Sequence, residues 1–328
     1  MSQTADAQTR GVAPTGTAGW AVALIGQHTV WLLLAALVVV GGGFAPEFLT
    51  PANIFNVLRQ ATALGFVSVG QTFAIAADCI DLSVGAMISL TACLTAGIMD
   101  GHAAGILPAL GAVLAAVIAV GLLNGFAVAQ RKGNPFIVTL GSMAVINGIV
   151  LLYTKEQHVG SIPDGFRTIA EGHLGPLPVP VLLAAAAFLA AHFALRCTRY
   201  GRYVLAVGGN EEVARLSGIA TRRIKTVTYL LSASGAAATG LFLAARMNVG
   251  DPLVGVGFDL DAISAVVIGG TDIMGGRGSI AGTLGGVLLY AVLSNLMNLL
   301  NILPFSQIVI KGTIIVLAIS TYQLRRFQ

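Results

Sequence analysis

The sequence predicts an all-α, polytopic membrane protein of about ten transmembrane helices. Three observations carry that reading. Of its 328 residues, 56% are hydrophobic and only 10% charged, with a mean hydropathy of +0.86; about a quarter of a soluble globular chain is charged. The apolar residues fall in long continuous runs, as spanning helices require, and not in the alternating segments of an outer-membrane barrel. Finally, charge is concentrated: seven of the eighteen Lys and Arg lie within residues 196–225.

Residues 1–25, built mainly of Ser, Thr, Ala, Gly and Gln, read as a disordered cytoplasmic tail. The first apolar run starts late and lacks a basic lead, so a cleaved signal peptide is not expected. A single membrane domain, 26–328, follows. Its apolar segments lie at about 29–46, 55–77, 83–99, 104–129, 135–154, 178–195, 226–247, 258–274, 279–300 and 304–323. With the N-terminus inside, the inward segments hold Arg10, Arg131, Lys132, Arg196, Arg199, Arg202, Arg215, Arg222, Arg223, Lys225, Arg277, Arg325 and Arg326, thirteen of the eighteen basic residues. Only Arg59, Lys155, Arg167, Arg246 and Lys311 are left for the outside or the membrane. The excess of Lys and Arg in cytoplasmic loops therefore places both termini and the basic segment inside. The net charge of +4 is accounted for by topology and calls for no nucleic-acid partner. The longest outer loop, 155–177, reads as a solvated connector, a cover over a translocation mouth, or a receiving surface for a delivering protein.

Within 196–225, Asn210 precedes Glu211, Glu212, Val213, Ala214, Arg215 and Leu216, and Gly218 closes the run. An N-cap, acidic residues in the first turn, a basic residue in the last and a Gly stop spell a short surface helix. Such a helix is too short to persist alone. It is expected to dock onto a partner protein, with Val213, Leu216 and Ile219 as its apolar stripe.

Two interruptions break the apolar pattern. In 71–90, Asp78 and Asp81 stand between apolar runs. Carboxylates near membrane depth are costly and face a protein interior or a cavity. A first helix should end near Ala77, the chain break at Asp78–Ile80, and Asp81 or Ser83 cap a new helix; a plain surface loop is the alternative. In 255–278, Asp259 and Asp261 open an apolar segment that runs into Gly269, Gly270, Thr271 and Asp272 and then Gly275, Gly276, Arg277 and Gly278. At about seventeen residues it is short for a span. Segments two to five begin by going inward and seven to ten by going outward, so a repeat relating them would be inverted, with the pathway near its interface.

Small residues four apart (Gly121 with Gly125, Ala281 with Gly285, Gly282 with Gly286) suit close helix contacts. The embedded polar residues Asn124, Thr139, Ser142, Asn147, Ser232, Ser234, Asn295 and Asn298 either join helices or line a polar route. Cys79, Cys93 and Cys197 have no metal-ligand spacing and read as small packing residues. His102, His158 and His173 fall in loops, and no metal site is expected. Residues 269–278 have an Arg where a nucleotide loop needs Lys-Ser/Thr, and no nucleophile or metalloprotease motif occurs. If the chain transports actively, its energy is expected from ion coupling at membrane carboxylates (Asp78, Asp81, Asp259, Asp261, Asp272 being the nearest candidates) or from a partner ATPase, for which 196–225 supplies a docking element.

An ordered series of motifs resembles one known family, the inner-membrane permeases of bacterial ABC importers of the ribose/galactose/xylose type. It runs through Leu49-Thr50, Asn53 to Arg59-Gln60-Ala61, Gln71-Thr72-Phe73 and Ile80-Asp81-Leu82-Ser83-Val84-Gly85. Asn124-Gly125, Asn134 to Gly141, Gly201-Arg202 and Gly208-Gly209-Asn210-Glu211 with Ala214 and Ser217-Gly218-Ile219 follow. Leu260-Asp261-Ala262-Ile263, Val266 to Thr271, Gly275 to Gly278, Gly282-Thr283 and Asn298-Leu299-Leu300 complete it. The chain departs from the family at Asp78-Cys79, where Gly-Gly or Thr-Gly-Gly usually precedes Ile-Asp-Leu-Ser.

The resemblance implies a type II importer-like fold, a dimer of permeases (identical or not), a cytoplasmic ABC ATPase and a periplasmic solute-binding protein. It implies a sugar or sugar-like solute and no catalysis or cofactor in this chain, ATP and Mg being held by the ATPase. Nucleoside, autoinducer-type or branched-chain amino-acid substrates are the alternatives, and an ion-coupled secondary transporter is the alternative of another class. Gly208, Gly209, Asn210, Glu211, Glu212, Ala214, Arg215, Ser217 and Gly218 match the coupling helix. Candidates for the pathway or its gate are Asp78, Asp81, Ser83, Asn124, Phe136, Thr139, Asn147, Asp261 and Asn298.

Overall fold

Polar side chains and glycines, more than bulk apolar packing, decide how the helices of this chain meet. The computed structural model describes residues 17–303 and 305–313, with side chains from Thr29 onward. The expected tail before residue 17, the last apolar segment beyond residue 313, and Arg10, Arg325 and Arg326 lie outside the described residues. Helix α1 (Thr17–Phe44) begins inside the stretch expected to be tail, because the apolar run from Trp20 is continuous with the segment that follows. Then come α2 (Pro51–Ala76), α3 (Val84–Met99), α4 (Ile106–Gly125) with a wider π-turn at Phe126–Gln130, and α5 (Pro135–Thr154). A short amphipathic helix α6 (Asp164–Glu171) and a hairpin, β1 (His173–Leu174) with β2 (Leu177–Pro178), lead into α7 (Val179–Cys197). The chain continues through α8 (Arg199–Gly209), α9 (Glu211–Leu216), α10 (Thr221–Met247), α11 (Phe258–Ile268) and α12 (Ile280–Leu299), and residues 305–313 are helical.

Five of the described helical segments are long and apolar enough to cross a membrane: Ala103–Gln130, Pro135–Thr154, Val179–Cys197, Thr221–Met247 and Ile280–Leu299. The chain is thus a multi-pass helical membrane protein. Two departures from the expected segments concern the second half. Helix α10 starts at Thr221, so Arg222, Arg223 and Lys225 belong to it and not to a loop. The segment expected over 258–274 stops at Ile268, because Gly269 and Gly270 (φ +90°) end the helix there. At 1.5 Å per residue α11 is about 16 Å long, roughly half a hydrocarbon core.

Helices α2 and α10 form the centre and pack against each other. Helix α2 also packs on α11 and α12, while α10 packs on α3 and α4, a crossed arrangement of the two halves. In hydrocarbon, apolar area alone drives little association between helices, so small residues and hydrogen bonds hold them. Two of the expected small pairs serve this: Gly121 and Gly125 lie against Leu230 and Thr226 of α10, and Gly282 and Gly286 against Gly269, just past α11, and Ala265 within it. Asn53 and Asn295 exchange amide hydrogen bonds of 2.9 and 2.8 Å between α2 and α12. Thr72 and Thr283 meet at 2.8 Å across the same helices, and the Thr239 hydroxyl donates to the Ala63 carbonyl at 2.9 Å.

The long loop 155–177 is more than a solvated connector. Val159 pairs with Gly250 in an isolated antiparallel bridge, Gly160 sits against the Ala96 carbonyl, and Ile162 N–H donates to Asn248 at 3.1 Å. It folds onto the ends of α3 and α10. The opposite face of the bundle gathers the break after α2, residues 131–134, α8 with α9, and 270–278.

Candidate functional site

The break after α2 carries the first cluster. Ala77 caps α2, Asp78 takes a left-handed conformation (φ +55°), and α3 resumes at Val84. Ser83 does not cap α3 with its side chain, as one reading of the sequence expected. Instead the Asp81 carboxylate accepts from Ser83 N–H at 2.9 Å and from its hydroxyl at 2.6 Å. Asp81 is 1% exposed, so these donors replace water. The chain of bonds goes on: Asn124 Nδ2 donates to Ser83 Oγ at 3.0 Å, and the Ser142 hydroxyl donates to Asn124 Oδ1. Thr139 Oγ1 accepts from Leu82 N–H at 3.1 Å and donates to the Pro135 carbonyl at 2.8 Å. Gln71 Nε2 donates to the Asp81 carbonyl at 3.2 Å, while its own Oε1 is buried without a partner. The break is thereby tied to α4 and α5, whose outer face exposes Phe136, Ile137 and Leu140.

The second cluster is the corner between α8 and α9. Asn210 is extended (φ −162°) and its Oδ1 accepts from Val213 N–H at 3.0 Å, the cap that the sequence predicts. Ala214 is buried against the bundle, whereas Val213 and Leu216 are 59% and 74% exposed. Ile219, expected in the same stripe, turns inward and packs on the core. Glu212 and Arg215 pair along the helix in water and contribute little. The Ser217 hydroxyl closes on the Val213 carbonyl at 2.9 Å, and Gly218 takes φ +83° to end the helix.

This corner touches both interruptions directly. Gly208 lies so close to the Ala76 carbonyl and to Gly276 N that a methyl group there would overlap them, and Gly276 N–H donates to that same carbonyl at 3.0 Å. Three backbones therefore meet at one point: the end of α2, the end of α8 and the loop after α11. Gly209 is freer; a methyl there would meet Gly276 Cα at 3.8 Å.

Beside the corner opens a polar cleft of about 550 Å³, lined by Asp78, Lys132, Glu211, Arg215, Arg222 and Lys225 among others. Lys225 Nζ and Glu211 Oε2 are 2.7 Å apart, with the Lys225 side chain 9% exposed. Burial works against the Glu211 charge, but the Lys225 ammonium bound to it holds the carboxyl below its ordinary value. Partial burial in the cleft raises the Asp78 carboxyl, against the pull of Lys225 and with the repulsion of Glu211. Cys79 is fully buried beside them and its thiol is pushed up to about 12 by burial, with Lys225 opposing, which leaves it an inert packing group.

The structure thus brings Asp81, Ser83, Asn124 and Thr139 into one network and sends Asp78 the other way, into the cleft. Asp261 stands apart in the first turn of α11, accepting from the Tyr290 hydroxyl and lying 3.5 Å from Lys311 Nζ. Asn298 is exposed and accepts from Gln307 Nε2 at 2.8 Å; Asn147 is half-buried on α5. Sequence reasoning missed Gln71, Lys225, Tyr290 and Lys311 as members of these clusters. Lys311 carried a usable signal, being a lone cation in an apolar run. Among the described residues no His, Cys, Asp and Glu gather as a metal site.

Residues 53–318 match the family model described as branched-chain amino acid transport system / permease component. The ribose import permease protein RbsC of Bacillus subtilis (strain 168) is 39% identical over 293 residues, covering 88% of this chain and 90% of the relative. That of Escherichia coli (strain K12) is also 39% identical, covering 88% and 91%. The L-arabinose ABC transporter permease protein AraH of Azospirillum brasilense is 34% identical over 317 residues, covering 97% and 93%. No solved structure matches the chain.

Proposed function

This chain belongs to the permease family that its residues 53–318 match, and from that premise we propose that it is the membrane-spanning subunit of an ATP-driven importer for a sugar or sugar-like solute. The observation that carries the solute class is the 34–39% identity, over nearly the full chain, to ribose and arabinose permeases. The chain lies in the bacterial inner membrane. It catalyses no bond change; ATP and Mg are held by a separate cytoplasmic ATPase, and a periplasmic binding protein delivers the solute to a pair of permeases.

The five long helices, α1, α2, α3, the short α11 with the loop after it, and the apolar segment expected over 304–323 make ten crossings of a type II importer-like fold. The basic face with α8, α9 and 131–134 is cytoplasmic, and so are both termini, because Lys and Arg accumulate on that side. Helices α2–α5 and α10 onward form an inverted repeat. Its support is the crossed packing of α2 on α11 and α12 and of α10 on α3 and α4. A carboxylate near the start of the short helix in each half, Asp81 and Asp261, is a further likeness between them.

Helix α9 is the coupling element. Exposed Val213 and Leu216 meet the ATPase, and the helix is fixed to the bundle by Ala214, the Glu211–Lys225 pair and the contact at Gly208. A displacement of α9 reaches the end of α2 and the loop 270–278 at once, since all three backbones touch there. From the break it passes through Asp81, Ser83 and Asn124 to Ser142 and Thr139 on α5, whose exposed face borders the pathway. Access to the two sides then alternates as one half moves against the other.

Val213→Asp and Leu216→Asp test the docking role. Both sites are exposed, so the variants should insert and fold as the parent does, yet fail to co-purify with the ATPase, since a charge in an apolar contact is left unpaired. Undiminished co-purification would remove α9 from the interface.

A further inference from the structure

An apolar groove of about 510 Å³ runs along the flank of the bundle between α2, α7 and α12, with Ala61, Ala184, Phe188 and Leu284 among its walls. On α7 its lining extends from Val181 to His192, about 16 Å at 1.5 Å per residue. That is close to half the thickness of a hydrocarbon core, the depth of one leaflet. The groove ends at Leu58 and Val181, and there the charge balance is unusual.

Arg59, next to Leu58, donates to His173 Nε2 at 2.7 Å. Arg246 stands in the last turn of α10, the helix that packs on α2. Among the described residues neither guanidinium has a carboxylate within 4.0 Å; the nearby Glu171 is taken by Arg167 at 2.7 Å. Arg59 Nε is buried with no hydrogen-bond partner. Two cations without a carboxylate partner call for an anion, and a guanidinium fits a phosphate through its outward N–H groups.

We propose that this groove binds an anionic phospholipid, with one acyl chain lying between α2, α7 and α12 and the phosphate held by Arg59 and Arg246. The site is independent of the transport reading. It places a lipid contact on α2 and α12, two helices joined by the Asn53–Asn295 pair at the same end of the bundle.

The test is native mass spectrometry of the purified full chain in mild detergent, titrated with dioleoyl phosphatidylglycerol, dioleoyl phosphatidylcholine or inorganic phosphate. Phosphatidylglycerol should be retained about tenfold more tightly than phosphatidylcholine, the difference expected for charge-assisted hydrogen bonds. Arg59→Gln with Arg246→Gln should erase that preference, Arg59→Lys with Arg246→Lys should keep part of it, and Ala184→Trp should weaken both lipids by filling the groove. Equal retention of the two lipids, or a preference that survives the Gln pair, overturns the proposal. So does phosphate binding indifferent to Ala184→Trp with no lipid retained, which would mark a plain anion site. An Ala185→Cys variant that forms a disulfide-linked pair in membranes would assign the groove to a second copy. Loss of stimulation by a binding protein in the Gln pair, with lipid retention unchanged, would assign the arginines to that partner; either result overturns the lipid.

Discussion

Asp81→Ala should destabilise the folded permease by about 2–6 kcal/mol and abolish solute uptake, because it strands two buried donors at about 1–3 kcal/mol each. Those donors are the N–H and the hydroxyl of Ser83, at 2.9 and 2.6 Å from a carboxylate that is 1% exposed. The loss spreads, since Ser83 Oγ also accepts from Asn124, which in turn accepts from Ser142. Asp81→Asn keeps an acceptor oxygen in the same place and should recover most of the stability. Apparent melting temperature in detergent, with uptake in vesicles, separates the two variants. An Ala variant as stable and active as the parent would show that the break does not depend on this carboxylate.

Gly208→Ala should cost about 3 kcal/mol or prevent assembly, a large effect for one methyl group. The added carbon would overlap the Ala76 carbonyl oxygen and Gly276 N, both backbone atoms already bonded to each other at 3.0 Å, so neither can withdraw cheaply. Gly209→Ala next to it meets only ordinary contact distance and should be tolerated, with uptake near that of the parent. Expression level and ATP-dependent uptake of the pair give the comparison. Equal behaviour of the two variants would mean that the three backbones need not touch in the working transporter.

Local signals in the chain were legible. The cap and stop of α9 could be read from Asn210 and Gly218, the end of α2 from Asp78, and the helix contacts from glycines four apart, since each depends on residues within a turn or two. What escaped depends on distance along the chain. The Lys225–Glu211 pair spans fourteen positions and Lys311–Asp261 fifty, and no periodicity joins them. Asp78 and Asp81 looked equivalent, yet the left-handed backbone at Asp78 turns one carboxylate to the cleft while the other is buried. The short α11 was half visible: Gly269 and Gly270 marked its end, but only packing against α2 and α12 explains a helix of about 16 Å there.

As the membrane subunit proposed above, the chain moves a sugar-like solute on energy supplied by a partner ATPase. The most direct measurement is ATPase activity of the permease co-purified with that partner and reconstituted in vesicles, with and without a binding protein loaded with ribose, arabinose or another candidate sugar. Stimulation by one loaded binding protein, together with uptake of its sugar, is the expected result. Uptake by the permease alone, driven by a proton or sodium gradient and indifferent to ATP, would contradict it and shift the mechanism to the carboxylates Asp81 and Asp261.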